Sequence, residues 1–255
     1  MLLRSVIQHV KDQNWFAICL DFFIVVIGVF IGIQVSNWNA ARGDRVQEQQ
    51  LLIRLHEDFK ESIAGQERDI NFLSQQLADQ AILIKSLDAC SVSQNDALAV
   101  QRGVNSLGFI NPPRLNRRTI DEMSAAGKTD IVTSRALKAY LAEIVAQVEW
   151  RKSGYDGTAR TTEHNRYQID KYVRYQLKET YADPFLGSFT GLQFNMSDMC
   201  QDQQAANAVS AVSAFTRERQ AAYQSTLELY KAFLPMLENE LRTRWKIELA
   251  DGAQL

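Results

Sequence analysis

Residues Trp15 to Ile33 read WFAICLDFFIVVIGVFIGI. Asp21 is the one charge among them, and Phe22 to Ile33 is unbroken apolar sequence. At about 1.5 Å per residue, roughly 20 such residues cross a hydrocarbon core about 30 Å thick. Trp15 and Trp38 bracket the run, and amphipathic indole rings favour the two membrane interfaces. The stretch predicts a transmembrane helix over 15–38. Two competing readings fit less well. The buried helix of a soluble protein is rarely so apolar. A cleaved signal peptide has a shorter apolar region followed by a small-x-small site, and Asn39-Ala40-Ala41 matches that poorly.

One stripe of this helix carries the unusual residues. At about 100° per residue, Asp21, Val25, Gly28, Gly32 and Asn39 share a narrow arc. Gly28 and Gly32 form a G-x-x-x-G pair, which lets two helix backbones approach closely. A carboxylate in lipid is costly, so Asp21 is expected either to face a partner or to reach for the interface. The stripe reads either as a self-association face or as an acid near a helix end with tolerated glycines. Residues 1–14 place Leu3, Val6, Ile7 and Val10 on one face. That pattern fits a short interfacial helix or an ordinary charged flank.

Charge does not orient the span, because Arg4 and Lys11 precede it and Arg42 and Arg45 follow. Cysteine placement gives a second hint. Cys19 falls inside the span, which leaves Cys90 and Cys200 for the rest of the chain. In an oxidising compartment the two can form a disulfide, and two unrelated buried thiols would look the same in sequence. Neither lies in a C-x-x-C or C-x-x-H spacing.

Beyond Gly43 a helical soluble domain is expected over 43–255. Leu52, Leu55, Phe59, Ile63, Ile70, Leu73, Leu77, Ile84 and Leu87 mostly keep steps of three, four or seven, an amphipathic helix of about forty residues. Ser91 to Asp96 and Asn111-Pro112-Pro113 interrupt it. Thr119 and Glu122 are spaced as a capping box, and Gly127 is placed to stop the short helix that follows. Thr133 or Ser134 then caps a helix whose stripe is Leu137, Tyr140, Leu141, Ile144, Val145 and Val148. Gly154 and Gly157 are expected to kink or end it, with the helical pattern resuming weakly through Ile169, Tyr172, Val173 and Leu177. Tyr181 to Asn195 reads as irregular. A last helix over roughly 201–248 carries Tyr223, Leu227, Tyr230, Leu234, Leu237, Leu241 and Trp245 at coiled-coil-like spacing, bent at Pro235. Only four prolines and twelve glycines occur in 255 residues, which suits long helices. The expected class is all-α: an N-terminal transmembrane helix followed by a long-helix antiparallel bundle.

Two stretches carry a family resemblance. Asp21 to Asn39, DFFIVVIGVFIGIQVSNWN, has an acidic residue, the run Val25 to Gly28, then Gln34 and an Asn37-Trp38-Asn39 close. Thr119 to Ala146 has a capped short helix, an Ala-Gly-Lys stop, and a second helix of basic and apolar residues. Both resemble a family of uncharacterised bacterial single-pass membrane proteins, the domain of unknown function DUF 6090. Asp21 stands where that family's pattern has Glu. The resemblance implies an N-terminal anchor followed by a helical domain, and the bacterial inner membrane is the expected location of the anchor. It implies no activity and assigns no functional residue. Gln34, Asn37 and Asn39 lie where the helix would leave the bilayer, and their amides suit headgroups, water or a neighbouring helix.

The sequence offers little chemistry. The net charge is −2, with no basic run to track phosphates, so a nucleic-acid partner is not expected. His9, His56 and His164 lie in no metal-ligand spacing, and His56, followed by Glu57 and Asp58, reads as a solvated helix face. No phosphate loop or dinucleotide fingerprint occurs. Tyr167, Tyr172, Tyr175, Tyr181, Phe185 and Phe189 read as core more readily than as a ligand pocket. No cofactor is expected. The reading is a non-enzymatic, membrane-anchored bundle with its soluble domain in the periplasm. Its anchor would sit in the lipid bilayer, and it would act through contacts, as a homo-oligomer or with another envelope protein. A ligand-sensing module working with a partner is the second reading, and a membrane-tethered enzyme the third.

Overall fold

The first helix, α1, runs from Trp15 to Asp88 without a break, 74 residues in all. The computed structural model describes residues 15–108, 114–176 and 191–249. The expected interfacial segment 1–14, the Asn111-Pro112-Pro113 interruption and most of the Tyr181–Asn195 region lie outside the described residues, as do the side chains of 15–18. Internal contacts divide the chain between Leu51 and Leu52 into two units. Described residues of the first unit are all α1. The second contains the rest of α1 and every later element.

In the second unit, α1 is followed by α2 (Ala97–Ser106), α3 (Arg118–Ala125), a 3₁₀ turn (Thr129–Ile131), α4 (Arg135–Asp170), a two-stranded ribbon, α5 (Met196–Gln201) and α6 (Gln203–Thr243). Gly127 has φ +63° and terminates α3, as its position after the apolar residues implies. Ser134 caps α4 by accepting from the Leu137 N–H at 3.4 Å. Asp202 caps α6, its Oδ1 accepting from Gln204 N–H at 2.8 Å while Oδ2 accepts from the Tyr172 hydroxyl at 2.7 Å. The phenol and backbone donors hold this carboxyl below its ordinary pKa.

Three expectations are corrected. Thr119 and Glu122 make no capping box: the N-cap of α3 is Arg117, with no side-chain bond of its own. α4 continues through Gly154 and Gly157 to Asp170, because neighbouring turns satisfy its backbone on both sides. It then ends earlier than the apolar pattern suggests. Val173–Gln176 leaves the helix and forms strand β1, paired antiparallel with β2 (Gly191–Phe194) in the register Val173 with Phe194. Val173 and Tyr175 favour extended backbone, and that local preference wins over the weak helical spacing.

Side-chain pairs fix the directions of the long helices. Gln66 reaches Tyr223 O, Phe59 meets Tyr230 and Phe233, and His56 meets Glu238, so α1 and α6 are antiparallel. Tyr140 stacks on Phe233 while Arg151 bonds Thr226, so α4 and α6 are antiparallel too. α1 and α4 therefore run parallel, which requires the chain between them to travel back along α1.

Two apolar centres form. One is built on the rings of Phe59, Tyr230, Phe233 and Tyr140, with Phe59 and Phe233 ring centroids 4.5 Å apart, and Leu55, Ile144, Leu237 and Leu241 are buried on the same three helices. The other gathers Leu83, Leu87, Val100, Val104, Ile169, Met199 and Val209. Between these centres α1 buries polar residues, among them Gln66, Asp69, Gln76, Asp79 and Gln80.

Candidate functional site: the apolar span, the cysteine pair and a polar seam

From Leu20 to Trp38 the large apolar side chains of α1 are 45% (Val26) to 65% (Phe22) exposed. Soluble proteins scatter such residues singly and rarely line up thirteen. The helix is long and apolar enough to cross a membrane, and its most apolar window is wholly unburied. Asp21, Gly28, Gly32, Gln34, Asn37, Trp38 and Asn39 are all exposed along it, and Trp15 is its first residue. A Cβ placed on Gly28 or Gly32 meets nothing within 4 Å, so both glycine faces are open.

Cys90 and Cys200 form a disulfide, with Cα atoms 5.4 Å apart, inside the ordinary range for such a bridge. Cys90 sits just past the end of α1 with φ +48°, and Cys200 lies in α5. The bridge closes a separation of 110 residues beside the second apolar centre. Cys19 is free and exposed.

His56 is not a solvated residue. It is 7% exposed, with Nε2 3.1 Å from Glu238 Oε1. Its helix face is apolar at Leu52, Leu55 and Phe59, and α6 covers that face, which carries His56 inside with it. Tyr167 is exposed on α4 and Tyr172 is committed to Asp202, while Tyr181, Phe185 and Phe189 lie outside the described residues. Among the described residues, no three His, Cys, Asp or Glu side chains gather as metal ligands would.

Sequence reading missed a polar seam that binds the returning chain to α1. Arg102 bonds Asp79 through two nitrogens, each at 2.8 Å. Arg114 Nε donates to Asp69 at 2.5 Å, and Asn116 N–H donates to Ser62 Oγ at 2.8 Å. Arg118 and the Thr119 N–H both donate to Asp58, and Arg54 bonds Glu122. As residue numbers rise on one side they fall on the other. An extended residue advances about 3.3 Å and a helical one about 1.5 Å, so two residues of the return span roughly four of α1. The steps from Arg114 to Asn116 and from Gln66 to Ser62 match that ratio. The signal was present in the sequence: Asp58, Ser62, Gln66, Asp69, Gln76 and Asp79 recur at helical spacing among the apolar positions of α1.

Comparison with family models, with characterised proteins and with solved structures yields no match to this chain.

Proposed function

We propose that the chain is a single-pass protein of the bacterial inner membrane whose helical domain stands in the periplasm. There it acts through contacts, as a homo-oligomer or with another envelope protein, and not as an enzyme. The observation that carries this reading is the exposed apolar run from Leu20 to Trp38, which no described part of the protein covers. Lipid is the solvent in which such a surface is stable. The Cys90–Cys200 bridge supports the periplasmic side, because disulfides persist in oxidising compartments. The likeness of Asp21–Asn39 to DUF 6090 supports the same anchor. Asp21, Gly28 and Gly32 then form the helix-association face, and Trp15, Gln34, Asn37, Trp38 and Asn39 the interface residues.

Topology reporters fused to the C-terminus test this reading. A reporter that folds only in an oxidising, extracytoplasmic space should be active, and one that works only in the cytoplasm should be silent. The reverse result would overturn the periplasmic assignment. Extraction of the protein by alkaline carbonate, without detergent, would overturn the anchor.

A further inference from the structure

Between Val148 and Thr162, α4 has no buried residue. Ser153, Gly154 and Gly157 occupy this interval, and small side chains there leave space against α6. The result is a half-open cavity of about 370 Å³ between the two helices. That volume falls in the range of small-molecule sites. Its walls include Trp150, Gly154 and Tyr155 from α4, and Phe215, Arg219 and Tyr223 from α6.

Apolar aromatic surface and a cation with one buried, unpartnered nitrogen meet in this space. Arg219 is half-buried, and its Nε is buried with no hydrogen-bond partner among the described residues. Among the described residues, the titratable groups beside it are the phenols of Tyr223 and Tyr155, not a carboxylate, and burial pulls the guanidinium below its usual pKa. Arg151, in the same wall, donates to Thr226 Oγ1 at 2.8 Å, Ser225 Oγ at 3.1 Å and the Ala222 carbonyl, all neutral oxygens. Glu218, the carboxylate of the lining, is exposed. A partly desolvated guanidinium without an anion is costly, and a carboxylate matches its fork of donors. Trp150 is 71% exposed, so folding leaves its ring mostly uncovered at the cavity.

We propose that this cavity binds a small aromatic carboxylate, with the anion on Arg219 and the ring among Trp150, Tyr155 and Phe215. The site lies wholly within the second unit and stands whichever side of a membrane that unit occupies.

Full-length protein in lipid nanodiscs, titrated calorimetrically with 1-naphthylacetate and with 1-naphthylacetamide, tests the assignment against empty nanodiscs. The acid should bind saturably at one per chain, about tenfold or more tighter than the amide. Arg219→Gln should weaken the acid by a similar factor and leave the amide unchanged. Gly154→Leu should abolish binding of both by filling the cavity. A Cβ at Gly154 meets nothing within 4 Å, and the change removes a glycine from a helix interior, so this variant should fold at least as well. Absence of saturable binding by the acid, equal affinity for acid and amide, or full binding by a folded Gly154→Leu protein would each overturn the proposal.

Discussion

The Asp58 carboxylate, buried in the face of α1, accepts the backbone N–H of Thr119 at 2.9 Å and so caps a helix that begins sixty residues later in the chain. Its other oxygen accepts from Arg118 at 3.1 Å. The two partners differ in exposure: the Arg118 side chain is 73% exposed and that of Asp58 only 3%. Asp58→Ala strands the buried Thr119 N–H and removes an anion from the N-terminus of α3, an expected loss of about 2–3 kcal/mol. Arg118→Ala removes a solvent-screened partner and should cost under about 1 kcal/mol. Urea unfolding of both variants compares them. Equal losses would mean that the ion pair, and not the cap, holds α3.

That relationship marks what sequence periodicity reaches. The apolar spacing of Leu137 to Val148 and of Tyr223 to Leu241 placed α4 and α6, because burial of those residues depends on each helix alone presenting a face. Asp58 looked like a surface acid beside His56 and Glu57, because its burial depends on a partner segment distant in sequence. The capping-box spacing at Thr119 failed for the same reason: a cap from another helix is invisible to local pattern. The cavity at Gly154 was likewise illegible, since it arises where two separately regular helices fail to fill the space between them. The long exposed apolar stretch of α1, by contrast, is a property of consecutive residues and can be read directly.

Gly103 lies where α2 crosses α1. A Cβ there would stand 2.8 Å from the Asp79 carbonyl oxygen and 3.2 Å from Leu83 Cβ. The first obstacle is backbone, which cannot swing away. Gly103→Ala gains roughly 1 kcal/mol of helix propensity and forces the helices apart, which costs about 1–3 kcal/mol. The net effect should be destabilising and should weaken the nearby Arg102–Asp79 bonds. A thermal melt that rises with Gly103→Ala would contradict this close approach.

The Cys90–Cys200 bridge restrains a loop of 110 residues in the unfolded chain. Chain-entropy arguments give such a long loop about 2–5 kcal/mol of stabilisation. Cys90→Ser combined with Cys200→Ser should lower the unfolding midpoint by that much. Reduction of the native chain should reproduce the loss, and alkylation after denaturation should label only Cys19 until a reductant is added. Three labels without reductant would show that the bridge does not form in the cell.

Open glycine faces at Gly28 and Gly32 allow another helix to approach the apolar stretch of α1 closely. If that stripe drives self-association, Gly28→Ile together with Gly32→Ile should convert oligomers to monomers, both in detergent and in native membranes probed by crosslinking. Val26→Ile, off the stripe, should leave oligomers intact. Unchanged assembly in the double variant would assign the glycines to mere tolerance.

Gln80 and Gln76 lie one turn apart on α1, both buried, yet removing their amides should have opposite signs. Neither amide atom of Gln80 has a hydrogen-bond partner among the described residues, and the residue is 0% exposed. Burying an amide without partners costs about 1–3 kcal/mol on mutational scales. Methionine has nearly the same length and no such penalty, so Gln80→Met should stabilise the domain by about 1–2 kcal/mol. Gln76 differs because its Nε2 donates to the Ser106 carbonyl at 2.5 Å and so satisfies the C-terminal end of α2. Gln76→Met strands that carbonyl and should destabilise by about 1 kcal/mol. Denaturant midpoints at unchanged slope measure both effects. A destabilised Gln80→Met protein would show that the Gln80 amide is bonded in solution.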